Sequence, residues 1–97
     1  MVRIVAVALC LAAVACEPLV PQATAIDAQR GHVELAQLQQ GRSLLVKKCS
    51  GCHNTPSPVD HASGEWPTKL GEMSERAHLG RTEREMIEKY LVVMAAE

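Results

Sequence analysis

One stretch, Cys49-Ser50-Gly51-Cys52-His53, constrains what this chain can fold into more than any other feature. Residues three apart on a helical turn point the same way, so the two thiols can reach one edge of a planar ligand while His53 faces its centre. The C-x-x-C-H pattern is typical of c-type haem attachment, in which the thiols form thioether bonds and the imidazole binds the iron. The stretch therefore predicts one covalently bound haem c, held by Cys49, Cys52 and His53.

Two other kinds of site use a closely spaced cysteine pair. A structural zinc site needs four ligands, and the sequence has neither a second pair of this spacing nor a His-x-x-x-His to complete one. A thioredoxin-like dithiol is expected beside a β-α-β pattern, and the sequence has no strand-like alternation of apolar and polar residues. Haem attachment is the preferred interpretation, and the dithiol stays the alternative.

Composition also favours a cofactor. The 97 residues include no Phe, one Trp and one Tyr. A chain of this length buries a modest fraction of its surface and usually needs a staple, a metal or a cofactor. We therefore expect the haem to supply the missing core. The formal charge of −1 provides no basic field, so we expect no binding of nucleic acid.

The N-terminal residues have the pattern of an export signal. Arg3 precedes an apolar run over 4–14 that is too short to span a bilayer, and the small residues at 13–15 form a cleavage site. Cys16 follows at once, so the segment resembles a bacterial lipoprotein signal, in which this cysteine becomes acylated. Ala13 stands where such signals usually have Leu, and an ordinary secretory leader is the alternative. We expect a signal peptide over 1–15 and a periplasmic protein, attached to a membrane if Cys16 is acylated.

The mature chain divides into two parts. Residues 16–31 contain Pro18 and Pro21 and have no sustained apolar period, which predicts a flexible tether. Residues 32–97 form the predicted domain, whose pattern turns helical from about His32, is interrupted after His53 by a turn and a polar loop, and then becomes helical again. Its first helix runs from about His32 into the haem motif, and Gly41 in this helix marks a point where a second helix could cross closely.

Two further helices are predicted after the motif. The first runs from Glu65 to about Arg76, and its inward stripe is Trp66, Leu70, Met73 and Ala77. Trp66 could cover a haem edge and donate its N–H to a propionate, or it could be a core residue without a specific partner. The last helix begins with a predicted capping box in which Thr82 is the N-cap and Glu85 is the third helical residue.

The chain combines, in order, Gly41-x-x-Leu44-Leu45-x-x-x-Cys49-x-x-Cys52-His53, then Trp66-Pro67, Met73 and a capped last helix bearing Tyr90. This order resembles that of the small class I monohaem cytochromes c of bacteria, and the likeness covers nearly the whole predicted domain. It implies an all-α, cytochrome c-like fold of three to four helices around a covalent haem. It also implies a crossing of the first and last helices near Gly41 and Tyr90.

The resemblance further implies that His53 and Met73 are the axial ligands of the iron. Four other residues compete for the position opposite His53, namely His61, His78, Met86 and Met94. Two departures from the family pattern stand out. Leu45 replaces an aromatic residue that is frequent there, and the short segment between His53 and Met73 leaves much of the haem edge exposed.

An iron with two strong protein ligands has no vacancy for a substrate, so we expect one-electron transfer between redox partner proteins rather than catalysis. Two alternatives stay open. The chain could be the haem-bearing subunit of a larger oxidoreductase complex, or a five-coordinate haem protein that binds a gas, which requires that Met73 is not a ligand.

Overall fold

Helices account for most of the computed structural model, which describes residues 20–49 and 55–95. The four α-helices are α1 (Ala25–Gly31), α2 (Leu35–Cys49), α3 (Trp66–Ala77) and α4 (Arg81–Ala95). Two short 3-10 turns, Pro58–Asp60 and Ser63–Glu65, lead into α3. The described residues include no β-strand, and the predicted all-α class is confirmed.

The last helix, α4, is the element around which the others pack: it contacts α1, α2, α3 and both 3-10 turns. Its closest neighbour is α2, at Gly41. A Cβ atom built on Gly41 would meet the carbonyl oxygen of Met86 and would lie 2.9 Å from the Cβ of Tyr90. The close helix crossing predicted at Gly41 is confirmed, and Tyr90 is at the crossing, as the resemblance implied.

Two clusters of buried side chains lie along α4. The main core comprises Val20, Leu45, Trp66, Leu70, Ile87, Tyr90 and Leu91. The small core comprises Ala23, Ala28, Leu38 and Val93. Six of the seven main-core side chains have no exposed surface, so the described helices already enclose a well-packed apolar interior. The predicted stripe of α3 is confirmed for its two buried members, Trp66 and Leu70.

Residues 20–31, which we call the N-terminal strap, are packed against the domain and do not form the flexible tether that the sequence predicted. Val20 is 9% exposed and belongs to the main core. The Arg42 Nε donates to the Val20 carbonyl at 2.9 Å, and the Tyr90 hydroxyl donates to the Pro21 carbonyl. Further along, Arg30 donates to the carbonyl of Val93 at 3.0 Å. Side chains from α2 and α4 therefore hold the strap by its backbone, an interaction that apolar periodicity cannot reveal.

A capping box starts the helix within this strap. Thr24 Oγ1 accepts from the Asp27 amide at 3.4 Å, and Asp27 Oδ2 accepts from the Thr24 amide at 2.8 Å. Partial burial acts to raise the pKa of Asp27, but the hydrogen bonds from Thr24 and the nearby Arg30 guanidinium outweigh it and hold the pKa below its ordinary value. The Thr-x-x-Asp spacing is a helix-start signal in the sequence, but the two prolines before it favoured a tether instead.

The start of α4 and its cap both lie two residues before their predicted positions. The helix begins at Arg81, so Gly80 and not Thr82 is the N-cap. The Gly80 amide donates to Glu83 Oε1 at 3.0 Å, and the Gly80 carbonyl accepts from the Arg84 amide at 2.9 Å. The sequence has two overlapping patterns in which an acidic residue follows a possible N-cap by three positions, Gly80 with Glu83 and Thr82 with Glu85. The prediction of Thr82 was wrong, because glycine is also a good N-cap residue.

Candidate functional site

The predicted haem-attachment motif lies only partly within the described residues. Cys49 is the last residue of α2, is partly exposed and packs against the main core. Cys52 and His53 lie in residues 50–54, outside the described residues. The predicted run of α2 into the motif is confirmed as far as Cys49, and the roles of Cys52 and His53 stay predictions.

Met73 borders the same buried cluster as Cys49. It lies in the second half of α3, is partly exposed and packs against the main core. Its position follows from the sequence, because Met73 is three residues after Leu70 and so lies on the buried face of its helix. Two helices that are separate in the sequence thus bring a thiol and a thioether to one apolar cluster.

The apolar and sulfur-bearing side chains at the edge of the main core have the chemistry that a haem site needs. Leu44 and Leu79 are partly exposed and also pack against the main core. With Cys49 and Met73 they are four of the seven partly buried apolar residues that pack against the main core. The donor chemistry fits as well, because a thiol can form the thioether bond of c-type attachment and a thioether sulfur is a known axial ligand of haem iron.

Trp66 has a different partner from the propionate considered from the sequence. Its side chain is completely buried, and its indole N–H donates to the Pro58 carbonyl at 2.9 Å. The ring of His61 meets it edge-on, with centroids 4.8 Å apart and planes at 85°. Trp66 therefore joins the first 3-10 turn to the main core, which is the core role left open by the sequence.

The four competing ligand candidates lie in distinct surroundings. His61 packs on Trp66, and its Nδ1 is 3.8 Å from Glu65 Oε1. His78 is exposed and caps the C-terminus of α3 in the left-handed conformation, with φ 57°. Met86 is at the Gly41 crossing. Met94 packs against both cores near the end of α4.

An ion pair holds the end of α2 that carries Cys49. Lys48 Nζ lies 3.3 Å from Glu83 Oε2, so the residue before Cys49 is joined to the first turn of α4. The hydrogen bond from the Gly80 amide, followed by the interaction with Lys48, lowers the pKa of Glu83 from its ordinary value. The sequence places Lys48 only on the solvated face of α2, since no local pattern links it to a residue so far along the chain.

The rest of the described chain contains no second candidate site of the same kind. Within residues 20–49 and 55–95, no three His, Cys, Asp or Glu side chains form a group that could hold a metal ion. None of the described helices is long and apolar enough to cross a membrane.

The chain was compared with protein families, curated proteins and solved structures. No family model, no curated protein and no solved structure matches this chain.

Proposed function

We propose that this protein is a periplasmic one-electron carrier with a cytochrome c-like fold and a single covalent haem c. The observation that carries the proposal is the Cys49-Ser50-Gly51-Cys52-His53 motif, whose residue types and spacing suit haem attachment. The all-helical architecture supports it, as does the packing of both Cys49 and Met73 against the main core.

Each site residue has a defined task in this proposal. Cys49 and Cys52 would hold the haem through two thioether bonds, and His53 and Met73 would be the ligands of its iron. When bound, the haem supplies an iron that alternates between the ferrous and ferric states, and so carries one electron. Leu44 and Leu79 add apolar surface to the edge of the main core. The Lys48–Glu83 ion pair positions the end of α2 that carries the first thiol.

This ligand set makes the chain a carrier rather than an enzyme. Two protein ligands leave the iron without a vacancy for a substrate. The partners are then an electron donor and an electron acceptor, both proteins, and the chain could work as a free carrier or within a larger oxidoreductase complex. Acylation of Cys16 would hold it at a membrane, and nucleic acid is not among its partners.

One experiment tests the cofactor and its ligands together. The full-length chain is produced in a bacterium that exports and matures c-type cytochromes, and its optical spectrum is recorded oxidised and reduced. We expect a covalently retained haem under denaturing conditions, a weak far-red band from the sulfur–iron bond, and no carbon monoxide binding in the native protein. A native protein without covalent haem would overturn the proposal, whereas haem with carbon monoxide binding would favour the five-coordinate alternative.

A matched pair of variants separates attachment from ligation. Cys49→Ser with Cys52→Ser should abolish covalent haem, whereas His61→Gln should leave both the haem and its spectrum unchanged. Retention of covalent haem in the double variant would contradict the assignment of the motif.

A further inference from the structure

The N-terminal strap is anchored close to its beginning. Val20, its first residue, is buried in the main core, and the carbonyls of Val20 and Pro21 both accept side-chain hydrogen bonds. The donors, Arg42 and Tyr90, come from α2 and α4, the two helices that cross at Gly41. The chain is therefore fixed to the body of the domain from Val20 onward.

This anchoring limits how far Cys16 can lie from the domain. Four residue steps separate Cys16 from Val20, and even a fully extended chain covers roughly 14 Å in that number of steps. A flexible tether over 16–31 would instead reach roughly 50 Å. The limit of roughly 14 Å is little more than the diameter of one helix, about 10–12 Å with side chains.

The strap itself has little charge. The exposed side chains of the strap include Gln22, Ala25, Ile26 and Gln29, and Ile26 is 71% exposed. Its two charged side chains, Asp27 and Arg30, pair with each other at 3.0 Å. An exposed isoleucine on a strap whose two charged side chains pair with each other can approach lipid head groups without leaving an unpaired strap charge against them.

We propose that α1 lies against the bilayer, with Ile26 directed at the lipid surface, because Val20 is held within roughly 14 Å of the acylated Cys16 and α1 begins five residues after Val20. The inference rests on the proposed acylation of Cys16 and adds an orientation to it. The domain is a membrane-apposed carrier with one face held to the lipid, so its redox partners must approach other faces.

The test measures how close Ile26 lies to lipid. The full-length chain carrying Ile26→Cys is matured in the bacterium, labelled with a nitroxide at that thiol, and reconstituted into vesicles of phosphatidylethanolamine and phosphatidylglycerol. Collision rates of the label with oxygen, which concentrates in lipid, and with a water-soluble nickel complex are compared. We expect a shift toward oxygen at position 26. A label at Val59, an apolar side chain that is 78% exposed on the first 3-10 turn, should stay accessible to nickel.

A second variant tests the short link itself. A Gly/Ser insertion of about twelve residues between Glu17 and Pro18 leaves Cys16 and the strap unchanged but lets the domain leave the surface, so the label at position 26 should become accessible to nickel. An acylated protein whose label is equally exposed to water with and without the insertion overturns this inference alone. The inference is also overturned if the label at position 26 stays in contact with lipid despite the insertion, or if a label at Val59 contacts lipid equally. Absence of acylation, established by the mass of the Cys16 peptide, overturns the lipid attachment as well.

Discussion

Gly41 has the least room for a side chain at the crossing of α2 and α4. A Cβ atom there would meet the backbone carbonyl of Met86, which cannot rotate away as the end of a flexible side chain can. We expect Gly41→Ala to lower the free energy of unfolding by about 1–3 kcal/mol, the range of overpacked sites, despite the better helix propensity of alanine. Urea denaturation followed by circular dichroism measures the change.

Gly71 provides the matched control, because it is also inside a helix. A Cβ atom there comes no closer than 3.4 Å to another group, and that group is the end of the Arg84 side chain. Gly71→Ala should therefore raise the free energy of unfolding by about 0.5–1 kcal/mol, the propensity gain alone. Equal effects of the two substitutions would contradict close packing at Gly41.

Met73 is the residue on which the carrier proposal depends most. Met73→Ala should abolish the far-red sulfur–iron band, lower the reduction potential and open the iron to carbon monoxide, since the thioether is the ligand that raises the potential. Spectra and redox titration of the purified protein measure all three effects. Met86→Leu and Met94→Leu keep apolar volume at the other two candidate sulfurs and should change none of them. An unchanged spectrum in Met73→Ala would contradict this assignment and would indicate His61 or His78 as the second iron ligand.

At the scale of the helices, α1 and α3 end in the same unusual way. His32 and His78 each adopt a left-handed conformation with φ 57°, a region that suits glycine. After α3 the strain is tolerated because the His78 and Leu79 amides satisfy carbonyls of the last turn, those of Glu75 and Ser74. The sequence suggested a loop residue and ligand candidate at His78, since histidine is not a usual signal for a helix end.

We expect His78→Gly to raise the free energy of unfolding by about 1 kcal/mol, because glycine adopts the left-handed conformation without the steric cost borne by a residue with a Cβ. The measurement is urea denaturation, with an optical spectrum of the same sample. The spectrum should not change if His78 is only a cap. His78→Ala, which keeps the Cβ, should not be stabilised. A spectral change in His78→Gly would instead identify the imidazole as an iron ligand.

The helix boundaries were predictable where a local pattern decides them. Pro67 near the first turn and a four-residue apolar step from Trp66 to Leu70 located α3 closely. The start of α4 was harder to locate, because Gly80 with Glu83 and Thr82 with Glu85 both match a capping pattern and only tertiary contacts choose between them. The Lys48–Glu83 pair supports the first choice.

For the whole molecule, the strap is the part that the sequence could not predict. The near absence of aromatic residues led us to expect a core completed by haem, and the two aromatic residues present, Trp66 and Tyr90, are both completely buried in the main core. Val20 helps to cover that core, and its contribution depends on side chains far along the chain. The Gly41 crossing was predictable, because a glycine inside an amphipathic helix costs stability unless its missing side chain lets another element approach.

The same strap makes the stability of the whole molecule sensitive to alkaline pH through Tyr90. Burial, partly offset by Arg42, raises the pKa of Tyr90 to about 12 from an ordinary value of 10.0, and the hydroxyl donates to the Pro21 carbonyl. The folded state therefore holds this proton more tightly than the unfolded state. The contribution of Tyr90 to stability is complete below about pH 10 and is lost as pH rises toward about 12.

Tyr90→Phe tests this linkage, since Tyr90 is the one tyrosine in the sequence. Loss of the hydrogen bond should lower the free energy of unfolding by about 1 kcal/mol at neutral pH. Above about pH 10 the variant should lose stability less steeply than the parent, so the difference between the two proteins narrows. Urea denaturation at a series of pH values measures both slopes. Parallel slopes over this alkaline range would mean that burial does not raise the pKa of Tyr90.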